Sequence, residues 1–235
     1  MKNSIPVRFL TAEDYYSVFS PEYAERNDKE TDAKRKAIEA KMRQIHEILY
    51  PQIKPLGYAC HYRKQNITTA ITPNPHNGYY IGWLGVKYVK GMPEEDRDLF
   101  HKFACMQFGL SDDGFSVCMY LAVPDSAMDR KKLAKLNYMG LERRRAEIDK
   151  ALCQVQNEGC EWQVGYDKAE CYPIQEDTVS GFCDWFKQHD KDGQESYLRK
   201  RLAPDIILKS PAVIAGEIRR VIVNMHPLYG AMTGR

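Results

Sequence analysis

The hydrophobic pattern is densest from Phe103 to Val123 (FACMQFGLSDDGFSVCMYLAV), where two apolar runs flank Ser111, Asp112, Asp113 and Gly114. Asp tolerates, and Gly readily adopts, the positive φ of a two-residue turn, so the pattern predicts a hairpin. In the first run Phe103, Cys105, Gln107 and Gly109 alternate with Ala104, Met106, Phe108 and Leu110. In the second, Phe115, Val117, Met119 and Leu121 alternate with Ser116, Cys118, Tyr120 and Ala122. Strands largely apolar on both faces belong in mid-sheet, with a layer on each side. The remaining elements read as cover for this hairpin.

Helical spacing is clearest in residues 30–50, where Ile38, Met42, Ile45 and Leu49 form one stripe closed by Pro51 and Pro55. A second helical pattern runs from Asp129 to Gln156, and Gly140 is expected to split it in two. A short helix follows over 178–189. The last helix opens at Ser210 and Pro211, buries Ile214, Ile218, Val221, Ile222 and Met225, and stops at Pro227. That stripe is expected to pack on the sheet. Strand-like alternation marks Tyr58 to Arg63 and Tyr79 to Val89, where Gly82 and Gly85 imply a bulge or a close backbone approach. Residues 160–175 read as a strand pair, and Ile206, Ile207 and Leu208 as a strand. The expectation is one α+β domain over 1–235, with an entry segment at 1–29 and a core at about 30–230. Its central, mainly antiparallel sheet is covered by helices.

Composition changes this picture little. A hydrophobic fraction of 43% and a charged fraction of 28% are ordinary for a globular chain, and a net charge of +2 does not by itself imply nucleic acid. The seven cysteines are scattered, odd in number and without a Cys-x-x-Cys pair. With an N-terminus lacking the apolar core of a secretion signal, they point to a reducing, cytoplasmic setting. No apolar stretch reaches the roughly 20 residues that span a bilayer, so no membrane partner is expected.

The hairpin segments Phe103–Leu110 and Phe115–Ala122, with the helix from Ser210 and Pro211 to Pro227, Leu228 and Tyr229, resemble the YktB-like family of uncharacterised bacterial proteins. A weaker match is the basic strand His61, Tyr62, Arg63 and Lys64. The family usually places a bulky aromatic after its Gly-Leu pair, where this chain has Ser111. The resemblance implies an α+β fold with a helix-covered antiparallel sheet and implies no reaction.

Candidate chemistry centres on that basic strand. His61 and Arg63 project to one face and Lys64 to the other, and a guanidinium suits phosphate or carboxylate. The plainer alternative is an ordinary charged sheet edge. In the loop before the next strand, His76, with Tyr80 and Trp83 beyond it, suits stacking recognition, against simple core packing of the aromatics. Asp112 and Asp113 are explained by the turn itself. Arg143, Arg144 and Arg145 form the strongest basic run and are candidates for anion contact, with Glu142, Glu147 and Asp149 at hand to neutralise them. They form one surface with Lys34, Arg35, Lys36, Lys41 and Arg43 only if the two helices lie side by side.

No phosphate-cradling loop, nucleophile elbow or zinc spacing is present, and no metal or cofactor is implied. The sequence therefore reads as a non-enzymatic binding protein for an anionic small molecule, nucleic acid or protein. The alternative is a hydrolase of phosphodiesters, with His61 as general acid or base and Arg63 stabilising negative charge.

Overall fold

A computed structural model describes residues 9–11, 29–60, 68–73, 80–91, 103–111, 114–121, 135–165, 170–191 and 194–235. In chain order the elements are α1 (Lys29–Ile53), β1 (Tyr58–Cys60), β2 (Thr68–Pro73), β3 (Tyr80–Lys90), β4 (Cys105–Ser111) and β5 (Gly114–Leu121). Then come α2 (Tyr138–Arg143), α3 (Arg145–Asn157), β6 (Glu161–Val164), β7 (Cys171–Pro173), α4 (Val179–His189), β8 (Ser196–Arg201) and α5 (Pro211–Thr233). Short 3₁₀ turns occupy Lys54–Leu56 and Pro204–Leu208.

The eight strands form one sheet in the order β1-β3-β4-β5-β8-β6-β7, with β2 sharing the β1 edge of β3, and every pairing is antiparallel. The fold is α+β, and the β4–β5 hairpin lies mid-sheet with Ser111 paired to Gly114. Gly85 explains itself by close approach: a Cβ there would fall 2.0 Å from the Phe108 carbonyl oxygen of β4.

The two faces of the sheet differ. On one, Tyr88, Met106, Phe108, Val117, Met119, Leu198 and Trp162 join the stripes of α1, α3, α4 and α5 in a single apolar core. The expected α1 stripe Ile38, Met42, Ile45 and Leu49 is buried, as is the α5 stripe, and α5 packs on β5. Removing each such side chain from water is worth about 1.5–3 kcal/mol, and this sets the position of α5. On the opposite face, Lys87, Gln107, Cys118, Arg199 and Glu161 lie directly across from one another on five adjacent strands. Gln107 and Arg199 are nonetheless buried. Both faces of the hairpin are buried, as expected, and the second combines a smaller apolar cluster of Val89, Phe103, Cys105 and Tyr120 with the buried polar Gln107 and Ser116.

Four boundaries depart from the sequence reading. Ile206 to Leu208 lie in a 3₁₀ turn, and the strand is instead the basic Ser196–Arg201, placed by pairing with β5 and β6. The break in the helical segment falls at Arg144 (φ −116°, ψ 27°), while Gly140 stays within α2. A Cβ at Gly140 would lie 2.6 Å from the Ala231 carbonyl oxygen, so the glycine serves helix packing. Pro51 sits inside α1, and Pro227 sits inside α5, which continues to Thr233. The roughly 3 kcal/mol cost of an internal proline is offset because Leu228, Tyr229, Ala231 and Met232 are all buried. Ser210 caps α5 as expected, its hydroxyl accepting from the Val213 N–H at 3.4 Å. Among the described residues no helix is long and apolar enough to cross a membrane.

Candidate functional site

The continuation of α5 past Pro227 brings His226 and Gly230, one turn apart, to the rim where β1 and β3 end. Tyr58 of β1 is directly opposite Lys90 of β3. The Tyr58 ring is buried, lies against Tyr229 at 5.8 Å, and meets the edge of His226 at 5.4 Å. Its hydroxyl is 3.0 Å from His226 Nδ1, its one hydrogen-bond partner among the described residues. Burial pushes the Tyr58 hydroxyl well above its ordinary range, so it keeps its proton and donates to Nδ1. We assign the ring proton to Nε2 on that basis.

Arg144 approaches from the α2–α3 junction, where leaving helical geometry aims its side chain at α5. Its Nη1 lies 3.2 Å, and the Arg235 main-chain oxygen 3.1 Å, from where a Cβ on Gly230 would stand, tighter than a side chain ordinarily takes. Its Nε and Nη2 donate to the Glu147 carboxylate at 2.9 and 2.5 Å. That pair is solvent-exposed enough to be worth under about 1 kcal/mol. The Arg144 charge bears on both His226 and Lys90. Burial, then Lys90 and Arg144, hold the His226 imidazolium down to about 4, with Glu147 opposing. Burial and Arg144 likewise lower the Lys90 ammonium. At neutral pH the site therefore holds two cations and a neutral imidazole, with the Glu147 carboxylate on Arg144 and the Arg235 main-chain oxygen beside Gly230 as acceptors. Such a rim can take an anion.

Among the described residues, two buried cysteines and the Lys135 cluster do not offer reactive groups. Burial pushes the Cys105 thiol up to about 11 and Cys160 up to about 12, which keeps both protonated and non-nucleophilic at neutral pH. Lys135 Nζ donates to Ser196 Oγ at 2.9 Å and to Asp190 Oδ1 at 3.1 Å, and Ser196 Oγ donates to Asp190 at 2.6 Å. Here the Lys135 amine is paired with the Asp190 carboxylate, the Ser196 hydroxyl donates to that same carboxylate, and Ser196 is fully buried, so the hydroxyl is not presented to a substrate. The trio is structural. Among the described residues no group of three or more His, Cys, Asp or Glu is placed to hold a metal.

Of the residues singled out from sequence, His61, Arg63, Lys64 and His76 lie outside the described residues, as do Asp112 and Asp113. Tyr80 and Trp83 are in β3, paired to Pro73 and Ala70 of β2. Of the three arginines, Arg144 joins the rim and Arg145 is spent on Glu142 at 2.6–3.1 Å, a hydrogen-bonded pair that raises its guanidinium further. Arg143 is exposed in the last turn of α2. The α1 basic residues are not beside them, because α5 packs against α1 and also against α2 and α3. Tyr58, Lys90, His226 and Gly230 escaped the sequence reading. The signal was a polar residue on the stripe Ile218, Ile222, His226, Gly230, visible only to a reader who carries the helix through Pro227.

No protein-family model, no curated protein and no solved structure matches this chain. The resemblance to the YktB-like family rests on the residues quoted for it.

Proposed function

We propose that this is a non-enzymatic binding protein whose ligand is a small anion held at the Lys90, Arg144 and His226 rim. One observation carries the reading: the charges of Lys90 and Arg144, from separate elements, both bear on His226, with the Glu147 carboxylate that Arg144 already engages and the Arg235 main-chain oxygen at Gly230 as the acceptors beside them. Like charges brought together cost stability, and an anion is the partner that reverses the sign of that term. Partial exposure of Arg144 and Lys90 leaves the rim open to solvent. A small anion fits better than nucleic acid, whose backbone calls for a broad basic surface, and α5 separates the two basic helical segments. The scattered cysteines, none in a disulfide, suit a reducing compartment, in keeping with a cytoplasmic YktB-like protein.

The test is an NMR titration with small inorganic anions at neutral pH. Saturable shifts should appear at Lys90, Arg144, His226 and Gly230 and vanish in the double variant Lys90→Gln, Arg144→Gln. Absence of saturable shifts with every anion at millimolar concentration removes the reading.

A further inference from the structure

We infer that β2 is a dimerisation edge: two copies of this chain pair Thr68–Thr72 antiparallel about a two-fold axis at Ala70, joining their sheets into one. The inference is independent of the anion rim. It starts from the hairpin that carries Tyr80 and Trp83, for which the rim has no use. Among the described residues β2 pairs with β3 alone, so its outer edge presents unpaired backbone N–H and C=O groups. Trp83 of β3 is opposite Ser111, where β4 ends, so Tyr80–Gly82 and their partners Ile71–Pro73 extend past the β4–β5 turn. That overhang sets the edge clear of the central hairpin.

Open edges are ordinarily defended by lysine, proline, a bulge or brevity. β7, at the far end of the sheet, is three residues long and closes with Pro173, and β1 is also three residues long. β2 runs six residues in unbroken register, with proline only at its end. Its charge pattern is as unusual. Between Lys64 and Lys87 no residue is Lys, Arg, Asp or Glu, although 28% of the whole chain is charged. An edge that meets a different protein can use charge to select it. An edge that meets itself about a two-fold axis sets each charge near its own copy, so neutrality is what self-complementarity requires. That argument selects a second copy as the occupant.

Antiparallel pairing about a two-fold axis perpendicular to the sheet keeps the two faces aligned, so only residues of equal parity can be opposite. Centring on Ala70 sets it against its own copy, Thr69 against Ile71 and Thr68 against Thr72. These β-branched pairs suit a sheet, and Pro73 is left outside the ladder. Each copy has one such edge, so assembly closes at two.

Sedimentation equilibrium of the full chain, with hydrogen exchange at the two ends of the concentration range, tests this. A short strand edge falls below the roughly 800 Å² per partner of a standard interface, so the dimer should form weakly, between about 10 μM and 1 mM. Mass should rise to twice the monomer's and no further. Exchange at the outward amides of Thr68–Thr72 should slow at least threefold with concentration, while Cys171 and Tyr172 at the far edge stay unchanged. Ala70→Lys and Ala70→Glu should each weaken association more than tenfold, and an equimolar mixture should restore it, because the axis sets position 70 against itself. The exchange arm uses the parent alone, so it decides the matter if a charge at position 70 prevents folding. A monomer throughout the range, growth past two copies, or slowed exchange outside β2 overturns the inference. So does a folded Ala70→Lys protein that associates like the parent, or a mixture no tighter than either variant alone. Protection of Thr68–Thr72 only on adding a different protein also overturns it and assigns the edge to that partner.

Discussion

Lys135, Asp190 and Ser196 form one charged cluster of this molecule, and Lys90, Arg144 and His226 form another, from similar ingredients. In the first, each donor meets an acceptor: the ammonium reaches Asp190, Ser196 and the Gln194 carbonyl, and the serine hydroxyl donates to Asp190. Charge is balanced within the trio. In the second, two cations and an imidazole meet an acid that Arg144 already engages and the Arg235 main-chain oxygen, and the imidazole stays neutral through burial first and its cationic neighbours second. A balanced cluster holds a fold together. An unbalanced one at the surface stores unfavourable energy that an arriving ligand releases. Comparable burial and hydrogen bonding would not have separated the two; the charge count does.

The comparison is broken most severely by removing the acid from the balanced cluster. Asp190→Ala leaves the Lys135 ammonium, whose side chain is 14% exposed, without its counter-ion, and the fully buried Ser196 without its acceptor. The expected loss is about 3 kcal/mol, read as a lower urea midpoint at unchanged m-value. A loss under about 1 kcal/mol would mean that this trio is not the staple described. Replacing both charges, with Lys135→Met and Asp190→Asn, should recover much of the loss, because no uncompensated charge remains.

How far these clusters were legible in the sequence follows from how far apart their members lie. The β4–β5 hairpin was readable because its alternation and turn are local, and so were the stripes of α1 and α5. Strand β8 was not: Ser196–Arg201 is basic, and only its slot between β5 and β6 makes it a strand. The β-branched residues after Pro204 looked more strand-like, yet they have no neighbour to pair with there and take a 3₁₀ turn. The rim was hidden for the same reason. His226 and Tyr58 are 168 positions apart, and their meeting depends on a helix that passes through a proline. Arg144 alone stood out, as part of a basic run whose two other members do not join it.

An intermediate effect comes from pH. His226 has a folded value of about 4, below its unfolded value of about 6.5, so the unfolded chain binds the proton first. Stability should be insensitive to this group above about pH 6.5 and fall as pH drops toward 4. The loss is about 1–2 kcal/mol after allowing for the partial exposure of the ring. Burial lowers His46 as well, so its contribution runs the same way. The His226 share is the part of the pH-dependent melting shift that disappears in His226→Gln. Identical profiles for the two proteins between pH 4 and 6.5 would show that the imidazole is not held neutral by its cationic neighbours.

The smallest effect sharpens the comparison most, because the two clusters should respond with opposite signs. Lys90→Gln removes one of the cations that repel each other at the rim while keeping a polar end on a partly exposed side chain. Burial and Arg144 already lower that ammonium, meaning that the folded state disfavours its charge. The variant should therefore be as stable as the parent or more stable, by a few tenths of a kcal/mol at low ionic strength, with the gain fading as salt screens the repulsion. At Lys135 the same substitution should destabilise at every salt concentration, since there the ammonium is paired with Asp190. Melting curves of both variants at about 20 and 500 mM salt decide it. A destabilised Lys90→Gln protein would mean that the rim is balanced after all, by contacts of Lys90 that serve the fold.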